Sequence, residues 1–294
     1  MKQFLLLLAA TVAACGRPPA ASVFPTDRAL GPFARDPSSP VIVRGGVGAP
    51  DELGATAPSV YLDAQGARHA IYLGLDGVGG SHLLGVDEID AGVWRKQGTA
   101  VVATQGAVGR PAALLLQNQV TVFYDSLDAN GQPLITSNLP GTATISGATK
   151  PCAVLVGGQV FIYALGADGT IHAFVSPDAM QPFSDKGSVL GPSREDGGFD
   201  AFAVSAPSVQ VEQSALGRTL FRLWYAGTDQ DGGTVSVGLS GSFDGLRFER
   251  YAENPVRFHA DVPSVYPVAD GGFAMLYAET PFSTPSDVSY AVGP

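Results

Sequence analysis

The chain has 294 residues, 37 of them glycine and 22 proline, with 15% charged residues and a formal net charge of −10. Such acidity excludes a nucleic-acid partner, which needs a basic footprint, and mostly serves solubility. The wealth of turn formers, with no convincing amphipathic helical stretch, points to an all-β protein, and roughly 270 residues beyond the apolar N-terminal run suit one domain.

Met1-Lys2-Gln3 is a short, positively charged start, and Phe4 to Ala14 is an apolar run of eleven residues. That is too short to span a bilayer and suits the core of a signal peptide. The run ends Val12-Ala13-Ala14-Cys15, which resembles a bacterial lipoprotein processing site: small residues, then the cysteine that becomes the lipidated N-terminus. Residues 1–14 are therefore expected to be a lipoprotein signal peptide, and residues 15–29 the lipidated Cys15 and a tether. Acyl chains on Cys15 would hold the domain on a membrane, since each buried methylene contributes about 0.8 kcal/mol. The expected location is extracytoplasmic, anchored to a bacterial cell envelope, at the outer membrane rather than the inner, and the expected state is a monomer. Cys152 alone remains in the mature chain, so no intramolecular disulfide can form. It lies in Pro151-Cys-Ala-Val-Leu-Val and reads as a small buried core residue without the neighbouring histidine of a catalytic thiol.

Five times a proline opens a short apolar strand, and a Tyr-centred strand follows. The copies are Pro58-Ser-Val-Tyr with Ile71-Tyr72-Leu73, Pro111-Ala-Ala-Leu with Val122-Phe123-Tyr124, Pro151-Cys-Ala-Val with Phe161-Ile162-Tyr163, Pro207-Ser-Val with Leu223-Trp224-Tyr225, and Pro263-Ser-Val-Tyr with Met275-Leu276-Tyr277. The prolines are 53, 40, 56 and 56 residues apart. Short strands repeating at such a period are the signature of a β-propeller, and five copies predict five blades over residues 30–294. Polar turns at Asp76-Gly-Val-Gly-Gly, Asp128-Ala-Asn-Gly131, Asp168-Gly169 and Asp229-Gln-Asp-Gly-Gly233 predict hairpins into third strands. Ser176-Pro-Asp178 and Ser242-Phe-Asp244 predict side-chain-capped turns into fourth strands.

The last repeat ends after its third strand. Phe33-Ala-Arg-Asp-Pro-Ser-Ser-Pro40-Val41 has the same Phe-to-Pro-Val spacing as Phe248-Glu-Arg-Tyr-Ala-Glu-Asn-Pro255-Val256, which closes the fourth repeat. The N-terminal segment is thus predicted to complete blade five as its outer strand and so remove an open edge.

Asp followed six residues later by Ala-Pro-Ser-Val, or nearer the proline, then a Tyr strand, Ser-x-Asp-Gly-x-x-Phe and Pro-Val, resembles the five-bladed propeller glycoside hydrolases of the arabinanase and invertase type across residues 30–294. The resemblance implies a sugar at the mouth of the central channel and three acidic residues near the inner-strand starts. Hydrolysis needs one carboxyl to protonate the leaving oxygen and a second to attack, or to stabilise the oxocarbenium-like carbon, about 5–9.5 Å away. Asp51, Asp200 and Asp261 precede three of the strand prolines and are the candidate catalytic carboxylates. For Asp51 and Asp200 a structural alternative stands beside this one, capping of the loop that enters the blade. Arg110, Lys150, His259, Glu195, Asp125 and Glu279 are the candidate ligand-binding residues at the same rim. Arg110 and Lys150 either neutralise nearby acids or recognise an acidic sugar or other anion.

The residues before the five prolines, Ala57, Arg110, Lys150, Ala206 and Val262, are not the acids that open inner strands in the enzymes of the resemblance. The primary expectation is therefore a propeller that binds a carbohydrate or related polar, anionic ligand. A glycoside hydrolase is the alternative, and a non-catalytic envelope scaffold the second. No cofactor is expected. No metal is expected either: Asp229-Gln-Asp231-Gly lacks the distal Glu of a calcium loop, and His69, His82, His172 and His259 are not at zinc spacing.

Overall fold

The computed structural model describes residues 22–24, 29–102, 108–194, 197–214, 217–280 and 286–294, without the side chains of residues 99–102. The described residues form twenty β-strands in five antiparallel sheets of four. Blade one is β2 (Gly54–Leu62), β3 (Arg68–Leu75), β4 (Ser81–Asp90) and β5 (Val93–Val102). Blade two is β6 (Pro111–Leu116), β7 (Gln119–Leu127), β8 (Pro133–Ser137) and β9 (Ile145–Ser146). Blade three is β10 (Ala148–Val156), β11 (Gln159–Gly166), β12 (Ile171–Ser176) and β13 (Ser184–Leu190). Blade four is β14 (Ala203–Gln213), β15 (Thr219–Thr228), β16 (Ser236–Ser242) and β17 (Glu249–Arg250). Blade five is β18 (Ala260–Pro267), β19 (Phe273–Glu279), β20 (Val288–Gly293) and, at its outer edge, β1 (Ala34–Arg35).

The inner strands touch in the cyclic order β2, β6, β10, β14, β18 and back to β2, so the sheets close into a five-bladed propeller. The core is accordingly five apolar clusters, one between each pair of neighbouring blades. Trp224 and Leu239 of blade four pack on Met275 and Tyr277 of blade five, and Tyr72 and Leu84 of blade one pack on Leu276 and Val288 of blade five. Ile162 and Phe174 meet Phe123 and Ile135, Tyr163 and Ile171 meet Leu223 and Phe221, and Ile71 and Leu83 meet Ala113 and Val122.

The N-terminal segment completes blade five as its spacing predicts. Ala34 and Arg35 pair antiparallel with Val292 and Ala291, and Ile42 bridges Val288. Leu30, Phe33 and Ile42 are each 2% exposed, so the closure is anchored by burial more than by its short ladder.

Four inner strands share a local distortion at the repeat proline. Ala57, Lys150, Ala206 and Val262 are left-handed, with φ of 47°, 54°, 52° and 46°. The pairing with the second strand slips at each of these places. Proline has no N–H for the ladder, and a bulge accommodates it at the cost of a backbone state that non-glycine residues rarely adopt. Blade two differs. Arg110 is not left-handed, and β6 pairs with β7 without a slip from Pro111 onward.

The residue after the proline explains the recurring Pro-Ser. Ser59 Oγ accepts the Ala113 N–H at 2.8 Å, Ser208 Oγ that of Val265 at 2.9 Å, and Ser264 Oγ that of Val60 at 2.9 Å. Cys152 Sγ accepts the Val209 N–H at 3.1 Å in the same way. Each is a latch from one inner strand to the next blade. Ala112 occupies the corresponding place in blade two and has no atom to offer.

Candidate functional site at the channel mouth

Inner strands begin, and second strands end, at one rim, because consecutive strands in a blade run antiparallel. At that rim Pro58, Pro111, Pro151, Pro207 and Pro263 ring a throat of about 20 Å³, lined also by Ser59, Cys152, Ser208, Ser264 and Arg110. The Arg110 side chain lies across the ring and is 6% exposed. Its Nη2 donates to the carbonyl oxygens of Pro207 at 3.1 Å and Pro263 at 2.9 Å, joining blade two to blades four and five. Burial lowers its pKa, and Cys152, Asp261 and Asp125 act through space against that fall. The same burial pushes the Cys152 thiol up, so this cysteine is a latch rather than a nucleophile.

Beside the throat lies a cavity of about 140 Å³ where Lys150 and Asp261 meet Ser205 and Thr228. Asp261 Oδ1 accepts the N–H of Val262 at 2.6 Å. Asp125, at the end of β7, accepts the backbone N–H of Lys150 at 2.7 Å and that of Arg110 at 3.3 Å. Burial nevertheless raises the Asp125 pKa, outweighing those bonds and the charges of Arg110 and Lys150. The mouth thus brings together four of the sequence-derived candidates, Arg110, Asp125, Lys150 and Asp261. The site offers two carboxyl groups, two cationic side chains and two hydroxyls.

Asp51 and Asp200 are placed elsewhere, in matching clamps. Asp51 is 3% exposed and takes hydrogen bonds from Tyr72 Oη at 2.7 Å, the Gly45 N–H at 3.1 Å and the Lys96 ammonium. Asp200 is 2% exposed and accepts from Tyr225 Oη at 2.9 Å and Arg250 Nε at 2.8 Å. In each case the loop entering the blade is tied to the second-strand tyrosine and to a base on the fourth strand. Gly74 and Gly227 allow the close approach, since a Cβ there would meet the Asp51 or Asp200 Cβ at 2.9 or 2.6 Å. Both carboxylates are engaged by structural partners.

Glu279 lies in a separate cleft of about 180 Å³ at the edge of blade five, with Arg35, Asp287 and Ser289. Its Oε1 accepts from Arg35 Nε at 2.6 Å. Burial opposes its charge, but the bonds from Arg35 and Ser289 outweigh it and hold the carboxyl below its ordinary range. With Tyr277 Oη at 3.5 Å, this repeats in blade five the carboxylate, tyrosine and outer-strand base of blades one and four. His259 is exposed and left-handed, with φ of 55°, and its carbonyl accepts the Thr280 N–H. Glu195 and Cys15 lie outside the described residues.

The outer-strand bases Lys96 and Arg250 escape a reading of the sequence, because nothing in the repeat marks them as partners of residues 45 and 50 positions away. The other histidines are held by acids. His69 lies between Asp87 at 2.7 Å and Asp63 at 3.1 Å. His172 lies between Asp185 and Asp168, and His82 beside Asp76. Among the described residues no three His, Cys, Asp or Glu side chains gather in a metal-binding group. Trp224 is fully buried in the core.

The far end of the channel opens into a cavity of about 350 Å³ lined by Tyr61, Leu62, Leu114, Leu155, Gln210 and Tyr266, among others. It is the larger space but mainly apolar. Arg68, its cation, is taken by Glu88 and by the face of Tyr266. The groups able to do acid–base chemistry are at the other rim.

No family model and no curated protein matches the sequence. Solved structures do match in fold. One described as showing that the GH130 family of mannoside phosphorylases contains glycoside hydrolases targeting β-1,2 mannosidic linkages in Candida mannan is 13% identical, with a TM-score of 0.69, over 92% of this chain and 95% of that one. A putative glycoside hydrolase of Bacteroides ovatus is 14% identical at a TM-score of 0.65, over 90% of this chain and 97% of that one. The catalytic domain of the Coprinopsis cinerea GH62 α-L-arabinofuranosidase is 11% identical at 0.63, again over 90% and 97%. The chain therefore shares the five-bladed fold of glycoside hydrolases.

Proposed function

We propose that the chain acts on a glycoside at the rim beside the five-proline throat, as a hydrolase in which Asp125 and Asp261 are the working carboxyl groups. The observation that carries this reading is the environment of Asp125: a carboxyl at the end of a second strand whose burial favours its protonated form, as a general acid requires. Asp125 would protonate the leaving oxygen. Asp261, in the adjoining cavity with Lys150, would attack or stabilise the anomeric carbon as the bond breaks, and water would complete the hydrolysis. Ser205 and Thr228 would bind sugar hydroxyls. That the similar folds belong to glycoside hydrolases supports the substrate class.

A second reading, non-catalytic binding of a polar or anionic sugar, is favoured by a different observation. None of the five residues before the inner-strand prolines is acidic, and Asp51 and Asp200 are already engaged. One experiment separates the two: reducing-sugar release from a polysaccharide panel and hydrolysis of aryl glycosides, run beside calorimetric binding of the same glycans to the full chain. Hydrolysis that falls about 10²-fold or more in both Asp125→Asn and Asp261→Asn supports catalysis. Binding without release supports the second reading, and neither binding nor release defeats both.

The proposal extends to location: a lipid on Cys15 would hold the propeller on the cell envelope. Metabolic labelling with a fatty acid, lost in Cys15→Ser, is the expected result, and an unlabelled wild type would remove the anchor.

A further inference from the structure

Hydrolysis at this rim would leave its charges out of balance. It needs Asp125 protonated, as the general acid, and Asp261 ionised. Arg110 stays charged, as a guanidinium does in proteins, and the Lys150 ammonium adds a second positive charge. The Cys152 thiol, pushed up by burial, adds none. Two cations against one carboxylate leave the working rim one charge positive, on a chain whose formal net charge is −10.

Lys150 is the cation a ligand can reach. Arg110 is buried in the throat, whereas Lys150 is half-buried and lines the cavity of about 140 Å³ with Asp261, Ser205 and Thr228. Among the described residues the Lys150 ammonium has no hydrogen bond and no ion pair, although its charge acts on Asp125. The outer-strand bases differ, since Lys96 and Arg250 are held by the carboxylates of Asp51 and Asp200. The Lys150 backbone is fixed by its own N–H, which donates to Asp125 at 2.7 Å. The hydroxyls of Ser205 and Thr228 also have no partner among the described residues, and one oxygen of Asp261 is taken by the Val262 N–H.

We propose that the sugar unit bound in this cavity carries a single negative charge, received by Lys150. A bound sugar displaces the water that hydrates the ammonium. A neutral sugar returns hydrogen bonds but no opposing charge, and burying a charge is costly unless it is paired. A positive rim also opposes the oxocarbenium-like transition state of glycoside hydrolysis, which itself gains positive charge. An anion on the substrate removes both costs. A uronic acid carboxylate and a sulfate monoester each supply one charge, whereas a phosphate monoester, with close to two at neutral pH, overshoots the balance. The charge count rests on the hydrolase reading, and the place of the anion rests on the unpaired Lys150.

The test gives the full chain matched aryl glycosides: neutral hexosides, the corresponding hexuronides and the sulfate monoesters of the same hexosides. One anionic series should exceed the neutral one in kcat/KM by roughly 10- to 100-fold, and the series preferred identifies the anionic group. Added salt should narrow that advantage. Lys150→Met should erase most of it and Lys150→Arg should keep most of it, and an advantage undiminished in Lys150→Met overturns the proposal. The comparison of neutral with anionic substrates needs no variant, so it decides even if Lys150→Met fails to fold. Equal or faster turnover of the neutral series, still lost in Asp125→Asn, overturns the anionic substrate and leaves the hydrolase standing. Calorimetric binding of uronic or sulfated oligosaccharides in preference to neutral ones, without turnover, does the reverse. Neither binding nor turnover of any anionic glycan also overturns the proposal.

Discussion

Asp51 and Asp200 show how one residue can be legible in position and obscure in role. Their equal spacing before Pro58 and Pro207 marks them in the sequence, where catalysis and loop capping are both open. The partners that decide between these, Tyr72 with Lys96 and Tyr225 with Arg250, become visible only when the strands are paired. Removing one member of such a buried, hydrogen-bonded set leaves the others unpaired, so Asp200→Ala is expected to destabilise the fold by about 3 kcal/mol in urea unfolding. A loss below about 0.5 kcal/mol, typical of surface substitutions, would show that the clamp is not structural. His172 gives a pH-dependent counterpart. Burial disfavours its cation, but hydrogen bonds and charge from Asp168 and Asp185 outweigh that and raise its pKa above the ordinary 6.5. A raised folded value means that its stabilising effect is full below about pH 6.5 and fades as pH rises through the folded value. The stability difference between wild type and His172→Ala should therefore shrink toward alkaline pH, and the imidazole should titrate above 6.5 by NMR. A midpoint below 6.5 would reverse the sign.

At the scale of the strand, the proline marks each inner strand, although only β6 begins at it and the other four begin three or four residues earlier, around the bulge; the serine after it was not readable as a latch. Its partner lies one blade on, 54 to 57 residues away in the chain and 204 for Ser264, and only the ring brings them together. The substitutions among the copies then make sense. Cys152 does the work of a serine, and Ala112 marks the blade in which the pattern lapses. Ser264→Ala should cost about 1 kcal/mol by leaving the Val60 N–H without its acceptor. Cys152→Ser should stay within about 1 kcal/mol of wild type, since a hydroxyl can accept the Val209 N–H as Ser208 accepts that of Val265. Unfolding midpoints of the two variants decide it, and equal, large losses would mean that packing rather than the latch dominates. Blade two also shows why Arg110 could be placed at the rim but not across it: its direction depends on a backbone state that the identity of one residue does not fix.

For the whole molecule, blade number, strand order and the closing segment all follow from the repeat, because each blade must bury both faces against its neighbours and an open edge is costly. What the repeat does not determine is which acids face the mouth, since rim residues are free of the packing constraints that make the strands periodic. Deleting residues 29–45 removes the buried Leu30, Phe33 and Ile42 and uncovers Val288 and Tyr290, so cooperative unfolding should be lost. A truncated chain with an unchanged melting temperature would show that the closure is dispensable. The pairing of Ala34 and Arg35 with residues 291 and 292 also imposes an order on biosynthesis. The first strand made is among the last to find its partner, and it waits for more than 250 residues to be produced. Blades one to four can assemble as they emerge from the ribosome, yet the ring stays open at one seam until residues 288–293 exist. The nascent protein therefore passes its longest interval with β1 unpaired and with the face of blade one that packs on blade five uncovered, the period in which it is most open to aggregation and most in need of a chaperone.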